Sequence, residues 1–292
     1  MVSLLTTVPC FKDIQQLIDA GINGIILSDK EYATIAAENV TLAEIIAARS
    51  LTIAQHVQLY VRCDRNFYDE ELTDLKAYLS ALKQIDVDGI YYADMAVYTI
   101  ANELGIGDRL IYDPETTITD QADINIYLEQ KNQRVVLAKE LTLSEMLAIG
   151  KSFPHHIEMI IHGHLRMSRS RRQILSGYQK AFQTTNLHLN RQITAQEESR
   201  DYRFPIVEDD FGTYTYSYYT LCSLNELLLI TKDIDYLRID GIFKDTAYLI
   251  NVIKAYQAVL GGQPSKVVFD HLQALYLKES LNTGFMYEKT NL

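Results

Sequence analysis

The chain has 292 residues, 48% of them hydrophobic and 22% charged, with 13 glycines and 5 prolines. That composition builds a folded core and excludes a disordered, collagen-like or low-complexity chain. Lys and Arg number 27 against 38 Asp and Glu, a formal charge of −11, so the molecule as a whole is repelled by phosphate backbones and anionic membranes, and any contact with nucleic acid must come from a local basic patch.

In chain order, Met1-Val2-Ser3-Leu4-Leu5 carries no cationic leader and no long apolar core, so no signal peptide is expected. No run approaches the roughly 20 apolar residues of a membrane span. Cys10, Cys63 and Cys222 form no ligand spacing and cannot all pair, so reduced thiols in a cytoplasmic protein are expected.

Short aliphatic or β-branched runs recur as strand candidates: Ser3–Thr7, Asn23–Ser28, His56–Arg62, Asp88–Ala93, Asp108–Tyr112, Arg134–Ala138, His156–Ile161 and Asp235–Ile239. Helical signals lie between them. Thr41-Leu-Ala-Glu44 and Thr142-Leu-Ser-Glu145 read as capping boxes. In Asp69–Ile85, Leu72, Leu75, Leu79 and Leu82 step by three and four onto one face. A last helix over Lys244–Leu260 is stopped by Gly261-Gly262 and Pro264.

Strands alternating with helices predict a parallel sheet, and eight strands close a (β/α)₈ barrel. A doubly wound sheet is the alternative, but neither Ala20-Gly21-Ile22-Asn23-Gly24 nor Gly105-Ile106-Gly107 supplies its glycine-rich turn. Between the seventh and eighth strands the rhythm breaks. Arg203–Ile206 and Gly212–Tyr219 there predict an inserted hairpin, and residues 183–220 are taken as the inserted region of a single domain spanning 1–292. Insertions after a barrel strand emerge at its C-terminal face, where active sites are built.

The candidate chemistry collects around that face. His162 and His164 lie two apart, so in extended chain they share a side, where they could bind metal, act as base and orienter, or serve as a hydrogen-bonded wall residue and a solvated neighbour. Arg166, Arg169, Arg171 and Arg172 suit an anionic ligand or an RNA backbone. Alternatively they are solvated, or paired with Glu197-Glu198 and Glu208-Asp209-Asp210. Lys139 and Glu140 close the sixth strand as substrate anchor or structural ion pair, and Asp240 ends the eighth as ligand contact or turn residue. Cys10 and Cys63 each follow a strand, so a metal site of Cys10, Cys63 and His162 is conceivable, with small core thiols as the plainer reading. There is no G-x-S-x-G elbow, no Walker loop and no H-E-x-x-H helix.

The stretch Glu158–Ser176 resembles the signature of the peptidase U32, collagenase-like family, in which a strand runs into His-Gly, two cysteines seven apart and a terminal Leu-Ser. His162-Gly163 and Leu175-Ser176 match it. So do the motifs around Lys139-Glu140, from Phe204-Pro205 to Leu221-Cys222, around Asp240-Gly241, and at Gly284-Phe285. The resemblance implies a barrel with peptidase activity or, for short members, a part in 5-hydroxylation of the tRNA wobble uridine beside a longer, cluster-bearing homologue. Family members that hold an iron–sulfur cluster use four cysteines. Here Arg166 and Gln173 occupy the two signature positions and Gln183–Arg200 lacks the third, so no cofactor is expected in this chain. Arg238-Ile-Asp240-Gly241 also departs from the family's usual Glu-Gly-Arg. A non-catalytic scaffold for the homologue is the remaining reading.

Overall fold

The computed structural model describes residues 2–185, 187, 190–196, 198 and 201–288. The first half alternates strand and helix without exception: β1 (Ser3–Thr7), α1 (Ile14–Asp19), β2 (Gly24–Ser28), α2 (Leu42–Gln55), β3 (Gln58–Cys63), α3 (Leu72–Ile85), β4 (Gly89–Tyr92), α4 (Met95–Glu103), β5 (Leu110–Tyr112), α5 (Gln121–Glu129), β6 (Arg134–Val136), α6 (Leu143–Ser152) and β7 (Ile157–Gly163). Then come β8 (Arg166–Ser170), α7 (Ile174–Phe182), β9 (Thr194–Gln196), β10 (Arg203–Asp209), β11 (Gly212–Tyr216), β12 (Thr220–Cys222) and α8 (Leu227–Ile230). The chain closes with β13 (Tyr236–Ile239), α9 (Thr246–Leu260), α10 (Ser265–Leu275) and β14 (Leu281–Asn282).

Strands β1 to β7 pair in parallel in sequence order, and β13 pairs in parallel with both β7 and β1. This is the closed eight-stranded parallel barrel, with helices between its strands, that the alternation predicts. All eight strand candidates fall on its strands: the first is unchanged, the others lose one or two residues at their ends, and β3 and β7 run on past the expected ends to Cys63 and Gly163. Between β7 and β13 the chain builds a separate four-stranded sheet in the order β8-β11-β10-β9. Its pairings are antiparallel, and β10 and β11 meet at Asp209 and Gly212. This sheet begins at Arg166, ahead of residue 183, because β8 is its edge strand. Strand β12 then returns to the barrel, antiparallel to β7.

Both capping boxes form. Thr41 and Thr142 receive the backbone N–H of Glu44 and Glu145, whose carboxylates accept in return from the cap N–H groups. Thr142→Ala is expected to cost about 1 kcal/mol, read as a lower denaturation midpoint without loss of secondary structure. The helix expected to be last is α9: it starts at Thr246, capped by the Asp245 side chain, and beyond the glycine stop a further helix, α10, follows.

The barrel interior is mixed in character. Leu5, Ile26, Tyr60, Tyr91, Ile111 and Val136, one from each of β1 to β6, pack together there. Tyr60 fits because Gly24 and Gly89 lack side chains; a Cβ on either would come within 2.9 Å of its ring. Below the mouth, charged groups replace aliphatic ones. Arg134 Nε donates to Glu158 Oε2 at 2.8 Å, Tyr91 Oη donates to the same oxygen at 2.8 Å, and Arg238 Nε stands 3.5 Å from Glu158 Oε1. Arg238 Nη1 in turn donates to Asp113 Oδ2 at 2.7 Å. A ladder of alternating charge therefore runs from the sixth strand to the mouth.

Candidate functional site

The C-terminal ends of the strands deliver polar side chains to one narrow cavity of about 40 Å³. Thr7 comes from β1, Arg62 from β3, Lys139 from beyond β6, His164 from beyond β7 and Asp240 from beyond β13. Asp113 and Glu115 follow β5, and Arg166 opens β8. Arg62 lies inside β3 and Arg166 at the start of β8, whereas Asp113, Glu115, Lys139 and Asp240 arrive there because the apolar run of their strand has just ended.

Most of these charges are paired, some with a near neighbour in the chain and some across the mouth. Arg62 Nε donates to Asp64 Oδ2 at 2.9 Å and its Nη2 to Thr34 Oγ1 at 2.8 Å. Burial pushes the Asp64 carboxyl up, but Arg62, Arg166 and the Thr34 backbone N–H outweigh it and hold it at about 2. Arg166 Nε donates to Glu115 Oε2 at 2.6 Å. Asp240 Oδ1 accepts from the Ile242 N–H at 2.9 Å. Lys139 Nζ lies 3.6 Å from Glu140 Oε1, and burial lowers its pKa against the pull of that carboxylate. A cation so placed can hold an anionic group or move a proton.

The two histidines do not share a face. Strand β7 ends at Gly163 with φ +123°, and a Cβ there would lie 2.5 Å from the Asp240 carbonyl oxygen, so only glycine makes the turn. His162 stays outside the barrel against α9, with Nε2 2.9 Å from Tyr248 Oη and its ring edge-on to Tyr256. His164 swings to the cavity, where Nδ1 donates to the Ser217 carbonyl at 2.8 Å. Burial lowers the pKa of both, that of His162 to about 3.

The arginine run also divides. Arg166 is buried at the mouth, Arg169 is half-buried, and Arg171 and Arg172 are exposed, Arg171 lying 4.4 Å over the Tyr68 ring. The acidic segment weighed as their partner does other work. Glu208 accepts the backbone N–H groups of Leu175 and Ser176 at the start of α7, and Asp210 pairs with Lys30. Glu197 lies outside the described residues. Cys10, Cys63 and His162 do not assemble: Cys63 is buried in the core that surrounds the barrel and Cys10 is partly exposed in the loop after β1. Among the described residues no three His, Cys, Asp or Glu are grouped to hold a metal ion. Burial raises the thiol of Cys63 well above its ordinary value and that of Cys222 to about 11, which disfavours thiolate ligands at either.

Of the residues singled out in the sequence, Lys139, His164, Arg166 and Asp240 meet around the cavity, with Glu140 behind Lys139. Arg62, Asp64, Asp113, Glu115 and Arg238 are equally part of the mouth and were not singled out as site residues. Their signal was present: Arg62 stands one residue before the end of its strand, Asp113 follows Tyr112 directly, and Arg238 interrupts an apolar strand.

A family model described as peptidase family U32 matches residues 10–291. The tRNA hydroxylation protein P2 of Bacillus subtilis is 28% identical over 263 residues, covering 88% of this chain and 85% of that protein. The tRNA hydroxylation protein P1 of the same organism is 23% identical, covering 82% of this chain and 58% of its own length. Among solved structures, the U32 peptidase Mk0906 superposes with a TM-score of 0.53 at 11% identity, over 82% of this chain and 92% of that one, a likeness of fold.

Proposed function

The chain belongs to the peptidase U32 family, and on that footing we propose that it is a component of tRNA wobble-uridine 5-hydroxylation, acting with a longer homologue that carries the iron–sulfur cluster. The observation that carries this reading is the match to protein P2, which spans most of both chains. The match to P1 leaves about two-fifths of that longer protein unaccounted for, as expected of a short partner and a long one. Three cysteines fall short of the roughly four thiolates a four-iron cluster takes. We read the chain as free of a cluster of its own and as cytoplasmic, where tRNA and reduced thiols are found. No described helix is long and apolar enough to cross a membrane.

In this reading the cations of the mouth meet the anionic RNA, and Lys139, His164 and Asp240 stand where a base would be positioned. Nucleoside mass spectrometry of tRNA from a strain lacking this chain is expected to show 5-hydroxyuridine lost and its unmodified precursor accumulated. Restoration should require the intact gene, with Lys139→Met restoring little. Unchanged 5-hydroxyuridine would overturn the assignment. Cleavage of gelatin by the purified protein, abolished in Lys139→Met, would replace it with the peptidase reading that the family's name carries.

A further inference from the structure

Beside the mouth lies a second and roomier cavity of about 220 Å³, separated from the first by the Arg166–Glu115 pair, which borders both. Asp64, Asp113 and Glu115 line it, and each already has its cation: Arg62, Arg238 and Arg166 respectively. One further cation faces the same space. Arg169 lines the cavity and makes no ion pair among the described residues.

Two guanidinium nitrogens in this wall are buried and have no hydrogen-bond partner among the described residues: Nε of Arg169 and Nη1 of Arg166. The whole of Arg166 is 8% exposed. Both guanidinium carbons stand near the Tyr214 ring, at 5.2 Å for Arg166 and 6.0 Å for Arg169, so the aromatic face holds the two prongs in place. Leaving buried charged donors unsatisfied is costly, and a cavity that does so is built for an acceptor that arrives from outside. The neighbouring hydroxyls of Thr116 and Ser168 add donors in the same wall.

We propose that this cavity is a phosphate-binding site, in which Arg169 and the unpaired edge of Arg166 grip the phosphate oxygens and Ser168 and Thr116 donate to them. Phosphate fits because it offers several acceptor oxygens to a planar guanidinium fork and brings the negative charge that Arg169 lacks. The three carboxylates in the wall each stand against an arginine, which offsets their repulsion, although Asp113 Oδ1 has no hydrogen-bond partner among the described residues and Arg238 is shared with Glu158. The site itself stands on this geometry. Only the source of the phosphate, a nucleotide of the RNA, rests on the tRNA reading.

Isothermal titration of the full chain with inorganic phosphate, uridine 5′-monophosphate, uridine and acetate tests the site. Phosphate and the nucleotide are expected to bind, and uridine and acetate not to. Arg169→Gln should weaken both by about tenfold to a hundredfold, Ser168→Ala by a few-fold, and Lys266→Gln, exposed on α10, should change nothing. Tighter binding of the nucleotide assigns the phosphate to RNA and equal binding assigns it to free phosphate; both uphold the site. Ser168→Ala keeps the test open should Arg169→Gln fail to fold, which its melting curve reveals. Absence of phosphate binding at low salt, acetate binding as tight as phosphate, or wild-type affinity in the folded variants overturns the proposal. Because the readout is binding, normal 5-hydroxyuridine in the deletion strain would remove the tRNA reading and leave this site standing.

Discussion

Glu158→Ala is expected to destabilise the protein by about 3–5 kcal/mol. Glu158 is fully buried and serves Arg134, Tyr91 and Arg238 at once. Arg134 is equally buried, its guanidinium 4.6 Å from the Tyr60 ring and 4.2 Å from the Tyr236 ring, so once its carboxylate is gone it keeps only the neutral acceptors Gln133 Oε1 and Tyr91 Oη. The cost is that of stranding charge, rather than the net worth of the pair, which is why replacing the whole cluster with apolar residues of similar volume would hurt far less. Glu158→Gln separates the two effects. It keeps the shape and a hydrogen-bond acceptor for Tyr91 while removing the charge, and should fall between wild type and alanine. Urea denaturation followed by circular dichroism checks the order. A loss under about 1 kcal/mol for Glu158→Ala would mean that the two arginines find other partners or water in the barrel. The substitution should also loosen the mouth, since Arg238 holds Asp113 as well as Glu158.

That ladder marks the boundary of what the sequence makes legible. The barrel is readable because its strands are short apolar runs that alternate with helices, and period and alternation are local properties of the chain. The capping boxes are readable for the same reason, each lying within four residues. The ladder joins Arg134, Glu158, Arg238 and Asp113, whose partners are up to 125 residues apart, and no local pattern pairs them. What the sequence does show is a charge inside an apolar strand, as in Ile157-Glu-Met-Ile-Ile, and a buried charge in a barrel strand implies a partner across the interior. The shared face expected for His162 and His164 fails because the end of β7 is irregular. The two-residue period holds only in a regular strand, and here the register with β13 shifts between Ile160 and His162 and Gly163 then turns the chain at positive φ. The glycine was visible; its positive φ is fixed by the close passage of the Asp240 carbonyl, a contact between distant segments.

His162 carries the second large effect, and it appears in acid. Burial, reinforced by Lys244 and His164, lowers its pKa to about 3, so the folded protein keeps the ring neutral. In the unfolded chain the ring titrates near the ordinary histidine value of about 6.5. Between those two values the unfolded state binds a proton that the folded state refuses. Stability from this residue is therefore fully present above about pH 6.5 and drains away as pH falls toward 3, at up to about 1.4 kcal/mol per pH unit. His164, also lowered by burial, contributes with the same sign. Asp64, held at about 2 by its arginines, adds a further loss only below about pH 4, as the unfolded carboxyl takes up its proton first. His162→Gln keeps a side chain able to bond Tyr248 and has no charge to gain, so its stability at neutral pH should drop modestly while its curve between pH 6.5 and 4 flattens relative to wild type. The difference between the two curves isolates this ring from His164 and Asp64. Parallel slopes for the two proteins would show that His162 takes up its proton without cost to the fold, although its Nδ1 is buried and has no hydrogen-bond partner among the described residues.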